Sequence, residues 1–118
     1  MTAAGFRKLA LAFPGAEPSA HMGHPDFRVG GKVFASLGYP DKKWGMVRLT
    51  PDQQEMYMSM EPEVFVPAAG TWGLRGATCV RLEAAPAGLV RDALGAAWEN
   101  TAGGPKTRPG APAGRKRR

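Results

Sequence analysis

The side chains nearest to a chemical site are two histidines three residues apart, His21 and His24, with Asp26 close behind. Imidazole is the commonest metal-ligating side chain. A metal site needs a third ligand, and usually a fourth, from elsewhere in the chain, and no further histidine exists. The expectation is that both rings hydrogen-bond locally near a strand end and that no metal is held. Cys79 is the single cysteine, which excludes an intramolecular disulfide and a cysteine-built metal site. It falls in the middle of an alternating segment with neither histidine near it, whereas a catalytic thiol needs an adjacent base oriented by a third group. No G-x-S-x-G elbow occurs. Gly70, Gly73 and Gly76 run into a strand pattern, not into the helix N-terminus that a phosphate loop requires. Glu61 and Glu63 flank Pro62 and read as solvated turn charges. These residues point to binding without catalysis and without a cofactor.

Charge is the stronger signal. The net charge of +6 is carried by Lys106, Arg108, Arg115, Lys116, Arg117 and Arg118, all within the last thirteen residues. The remaining ten Lys/Arg balance ten Asp/Glu. Beyond Ala102 no apolar side chain is larger than alanine, so residues 103–118 cannot bury enough surface to offset the entropy of ordering. The sequence therefore predicts one domain over residues 1–102 and a disordered basic tail over 103–118.

Such a distribution suits a polyanion, DNA above all. Candidate phosphate contacts are Arg28 and Lys32 at one turn, Lys42 and Lys43 at the next, Arg48, Arg75 and the six tail cations, with affinity expected to fall as salt is added. A second reading gives Tyr39, Trp44, Met46, Phe65 and Trp72 to a small aromatic ligand, using aromatic and adaptable thioether surface. A third pairs two chains across an open sheet face as a homodimer. No apolar run approaches the roughly 18 residues needed to cross a bilayer, and Arg7 and Lys8 interrupt any secretory pattern at the N-terminus. The expected location is the cytoplasm, with no membrane partner.

The elements that must position these side chains follow from periodicity. Phe6, Leu9, Ala10 and Phe13 fall on one helical face after the N-cap candidate Thr2, and Pro14-Gly15 ends that helix. Ser19–Met22 and Asp26–Val29 read as strands. Gly30-Gly31 supplies a tight hairpin, and Lys32–Leu37 returns. After the turn at residues 39–43, Trp44–Leu49 alternates, with Trp44, Met46 and Arg48 on one face. Thr50-Pro51-Asp52 starts a helix with Gln53, Met56, Tyr57 and Met60 along one side. Glu63–Val66 is a short edge element, residues 68–76 a glycine-rich loop, and Ala77–Leu82 a strand. The final helix begins at Pro86 and carries Leu89, Val90, Ala93, Leu94, Ala97 and Trp98 as its apolar stripe. The fold class is α+β: an antiparallel sheet with helices packed on one face, in the order helix, strands, helix, strand, helix.

Three separated stretches resemble the MmcQ/YjbR family. They are residues 21–35 (HMGHPDFRVGGKVFA), residues 61–67 (EPEVFVP) leading into residues 72–78 (WGLRGAT), and the closing helix from Leu89 to Trp98. The likeness spans about Phe6 to Asn100 and leaves the tail outside. It implies a CyaY-like, frataxin-like fold and a DNA-binding role ascribed to a "double wing" of β-hairpins. Frataxins bind iron through acids on the first helix; here that helix has Arg7 and Lys8 and no acid precedes Glu17, so the resemblance does not extend to iron.

Overall fold

The computed structural model describes residues 1–102; the basic segment that follows, and the disorder expected of it, lie outside the described residues. In chain order the elements are α1 (Ala3–Leu11), β1 (Glu17–His21), β2 (His24–Val29), β3 (Lys32–Leu37), β4 (Trp44–Arg48), α2 (Pro51–Met60), β5 (Phe65–Pro67), α3 (Gly70–Leu74), β6 (Ala77–Arg81) and α4 (Ala87–Ala102), with a single 3-10 turn at Leu82–Ala84. Helix α1 starts where expected, the Thr2 hydroxyl accepting from the Gly5 amide at 3.0 Å. Helix α2 starts on a reciprocal cap. The Gln53 amide donates to the Thr50 hydroxyl at 3.2 Å, and the Thr50 amide donates to Gln53 Oε1 at 3.0 Å.

The six strands form one sheet in the order β1-β2-β3-β4-β6-β5, and every neighbouring pair is antiparallel. The first four make a meander with short turns. The chain then crosses through α2 to the far edge, lays down β5, and inserts β6 between β5 and β4. Pro67, which has no amide to donate, sits on that edge strand, where the loss is harmless.

Helices α1 and α4 cover one face. Phe6 and Ala10 from α1, and Val90, Ala93, Leu94 and Ala97 from α4, pack with Phe27, Phe34, Ala35, Val47 and Val80 of the sheet. The closest approach is at Gly45 of β4, where a β-carbon would lie 2.8 Å from the Phe6 ring. Glycine there lets α1 settle onto the sheet. Helix α2 covers the β5–β6 end, with the Tyr57 ring 5.1 Å from that of Phe65 and the Tyr57 hydroxyl donating to Asp92 of α4 at 2.5 Å.

Two details differ from the sequence reading. Residues 70–74 form the short helix α3 instead of a loop. On α2 the inward face runs through Gln54, Tyr57 and Met58, leaving Met56 and Met60 exposed. The reason is polar. The Gln54 side-chain amide reaches the Gly73 and Ala77 carbonyls at 3.0 Å and the Thr78 hydroxyl at 3.2 Å. It thereby ties α2 to α3 and β6, an arrangement that periodicity in apolar residues does not reveal.

Gly45→Ala should cost about 1–3 kcal/mol of stability, the usual effect of overpacking a core. Urea denaturation measures it, and shortening the facing ring with Phe6→Leu should recover part of the loss in the double variant. Burial, and then the hydrogen bond to Asp92, raise the Tyr57 phenol above its ordinary value. A proton held more tightly in the folded state means that stability declines as pH rises past the unfolded phenol value of about 10. Tyr57→Phe should flatten that alkaline decline while leaving the melting curve at neutral pH cooperative.

Candidate functional site

Strand side chains alternate between faces, so a sheet with one helical layer has a second face to account for. Cross-strand register identifies its residues. Met46 lies opposite Ser36 on one side and Cys79 on the other, and Cys79 opposite Val66. Trp44 lies opposite Arg81, and Arg48 opposite Ala77. Toward β1, Asp26 lies opposite Ser36, and Arg28 opposite Glu17.

No helix is needed to bury the centre of this face. Met46 is 4% and Cys79 3% exposed, in a small cluster with Ala68 and Ala77 that Trp44 and Val66 partly cover. Two arginines lie over the tryptophans. The Arg81 guanidinium carbon is 4.5 Å from the Trp44 ring centroid, and that of Arg48 is 5.6 Å from the Trp72 centroid, both within cation–π range. Arg81 also donates from Nε to the Glu63 carbonyl at 3.1 Å. Among the described residues the one ion pair is Arg28–Asp26 at 2.9 Å, with a second hydrogen bond at 3.1 Å; donating to the Asp26 carboxylate raises the Arg28 pKa. Arg48 and Arg81 are thus charged, stacked and without a carboxylate partner among the described residues. A stacked guanidinium keeps its in-plane N–H donors, the fork that matches phosphate geometry.

The balanced body is also polarised. The strands, their turns and α3 with its cap carry seven cations against four acids. The helices α1, α2 and α4, the cap of α2 and the 3-10 turn carry three against six.

The residues singled out from sequence are divided by this geometry. Arg28 and Arg48 share the open face. Lys32 pairs with Val29, a residue of the helix-side core, and so belongs to the opposite face from Arg28. Lys42 and Lys43 occupy the β3–β4 turn, which lies at the other end of β3 from the β2–β3 turn, about 20 Å away for a six-residue strand. The two turns therefore do not form adjacent prongs. Arg75 is exposed at the C-cap of α3. Lys106, Arg108, Arg115, Lys116, Arg117 and Arg118 lie outside the described residues.

Of the aromatic-ligand set, Trp44 and Met46 share the open face and Trp72 stands at its end beside Arg48. Tyr39 is exposed in the β3–β4 turn. Phe65 does not join them. Its partner in the ladder is Val80, and both pack in the helix-side core, because the pleat sends Val66 to the open side. Arg81 was not singled out from sequence. Its alternation with Cys79 was legible, but its meeting with Trp44 depends on the β4–β6 register.

His21 and His24 face each other across the turn at Met22-Gly23. A β-carbon on Gly38 would lie 3.0 Å from His24 Nδ1, so that ring packs across the glycine. Among the described residues no three His, Cys, Asp or Glu side chains gather as a metal site, and no helix is long and apolar enough to cross a membrane.

The YjbR family model matches residues 11–100. No curated protein matches the chain. Among solved structures, the crystal structure of Deinococcus radiodurans protein DR2400, a DUF419 domain, is similar with a TM-score of 0.70. The two sequences are 14% identical, and the alignment covers 99% of this chain and 96% of that one, a likeness of fold.

Burial raises the Cys79 thiol pKa, and the thiolate is the reactive form. Cys79 should therefore react with a thiol-selective disulfide reagent no faster than the native protein opens, and at the rate of a free thiol once urea unfolds it. Rapid single-step labelling of native protein would contradict the packing described for this face.

Proposed function

The chain belongs to the YjbR family, and from that premise we propose that it is a non-catalytic binding protein whose uncovered sheet face holds the phosphates of DNA. One observation carries the reading: Arg48 and Arg81, each stacked on a tryptophan, sit on a single face with no acid to neutralise them among the described residues. Stacking pre-orders the guanidinium, so less rotamer entropy is lost when a phosphate binds. The Cα atoms of Trp44 and Arg48 are four residues apart on β4, about 13 Å, so the two forks reach separate phosphates of one backbone. Arg28, already engaged by Asp26, flanks them, and Lys42, Lys43 and Arg75 lie at the margins.

The acidic balance of the helices orients the approach of a polyanion toward the sheet. The six cations of residues 103–118 would add positive charge to the same encounter. The absence of catalysis is part of the proposal. Its support is the burial of the one thiol beside Met46, in a cluster that Trp44 partly covers, and the packing of His24 against Gly38.

The test is a binding titration with DNA at several salt concentrations. Affinity should fall steeply with salt, and Arg48→Ala with Arg81→Ala should make the log–log slope shallower by about 1.4–1.8, two phosphate contacts. Ending the chain after Ala102 should flatten it further, by up to about 5. Arg7→Ala, on α1, should change little. If the double arginine variant binds as the parent does, the face is wrong. Tryptophan quenching by planar aromatic compounds, unaffected by salt and with no response to DNA, would favour a small-ligand protein built on Trp44, Met46 and Trp72.

A further inference from the structure

We infer that the strand held on this face is single-stranded, with bases stacked on Trp72 and on the outer plane of Arg81; the inference rests on the DNA reading above and specifies its substrate. Three features of the fold carry it.

The first is the spacing of the planar surfaces. Trp72 is 59% exposed while Arg48 lies against its ring at 5.6 Å, so much of the indole still faces solvent. Arg81 lies over Trp44, its guanidinium carbon 4.5 Å from the ring centroid, and guanidinium planes take stacked bases as aromatic rings do. The two platforms are associated with opposite ends of β4, about 13 Å apart. In a duplex, bases are stacked on one another at about 3.4 Å and their faces are closed. Platforms that far apart receive base faces only from a strand whose bases are splayed out.

The second is what lies between the platforms. Beside and between them, the partly exposed Trp44 and Val66 close over the buried Met46, Cys79 and Ala77, with Ser36 opposite Met46 and Arg48 and Arg81 flanking. An unpaired strand needs such a combination, with apolar and planar surface for bases and cations for the backbone.

The third is what the turns lack. Entry into a duplex groove requires a projecting helix or ribbon with side chains at its tip. The β2–β3 turn consists of Gly30 and Gly31, which carry no side chains, and the next turn lies about 20 Å off at the other end of the sheet. A pair of hairpins inserted side by side is not available. A continuous face of six strands is.

The experiment uses the full chain and an oligothymidine, titrated by tryptophan fluorescence at low salt, against a mixed-sequence oligonucleotide offered both single-stranded and annealed to its complement. Each single strand should quench the fluorescence and bind at least tenfold more tightly than the duplex. Trp72→Ala should weaken single-strand binding by about 5- to 150-fold, the range for loss of one stacked base. Trp72→Phe should restore most of it, and duplex binding, which loses only the ordering of Arg48, should fall far less than single-strand binding in Trp72→Ala. An unaltered melting midpoint for Trp72→Ala establishes that the exposed ring is not needed for folding. Equal or tighter duplex binding that still depends on Arg48 and Arg81 would overturn the single-strand inference and leave the phosphate reading standing. No binding of either form at low salt would overturn both.

Discussion

A sheet covered by helices on one side only must bury, or at least shield, its other side with its own side chains. That constraint shapes this molecule more than any single contact. The covered face is ordinary hydrophobic packing: Phe6 against Gly45, and the apolar stripe of α4 across β3 and β4. The uncovered face has Met46 and Cys79 at its centre, and apolar surface of that kind left in water costs roughly 25 cal/mol per Å2. The chain meets the cost with long amphipathic side chains. Trp44 lies over the cluster, and Arg81 and Arg48 stack on tryptophans with their charged edges outward.

The same device that shields the face gives it a chemical character. Leucine or isoleucine would hide Met46 equally well but would leave an adhesive apolar patch. Trp44 covers it instead and carries the Arg81 guanidinium over its ring, so the shield bears positive charge. The structural role and the proposed recognition role therefore reside in the same atoms. It also follows that Asp26, though acidic and on this face, does little to neutralise it, because its carboxylate is 3% exposed and spent on Arg28.

Much of the fold was legible in the sequence. Helix caps at Thr2 and Thr50, the Gly30-Gly31 turn and the alternation through Trp44–Arg48 are local signals, set by hydrogen bonds and steric limits within a few residues. Register is not local. Whether Arg81 meets Trp44, or Phe65 faces the helices, depends on how β6 enters between β4 and β5 after an excursion through α2. For the same reason Arg28 and Lys32, four apart and both beside one turn, were grouped by sequence and divided by the pleat and the β-bulge at Phe27/Arg28. Helix α3 escaped notice because glycines at 70, 73 and 76 read as a loop. Gly73 is in fact required within it, since a β-carbon there would strike the Ala68 carbonyl.

The central claim is that recognition belongs to the uncovered face. Nuclear magnetic resonance of 15N-labelled full-length protein, with an oligonucleotide added at low salt, tests it most directly. The account predicts that the indole N–H signals of Trp44 and Trp72, the Nε–H signals of Arg48 and Arg81 and the amides of β4 and β6 shift together, while the Trp98 indole, bonded to the Pro14 carbonyl at 2.8 Å among the helices, stays in place. Shifts concentrated on α1 and α4, with the Trp44 and Trp72 signals unmoved at saturation, would contradict it.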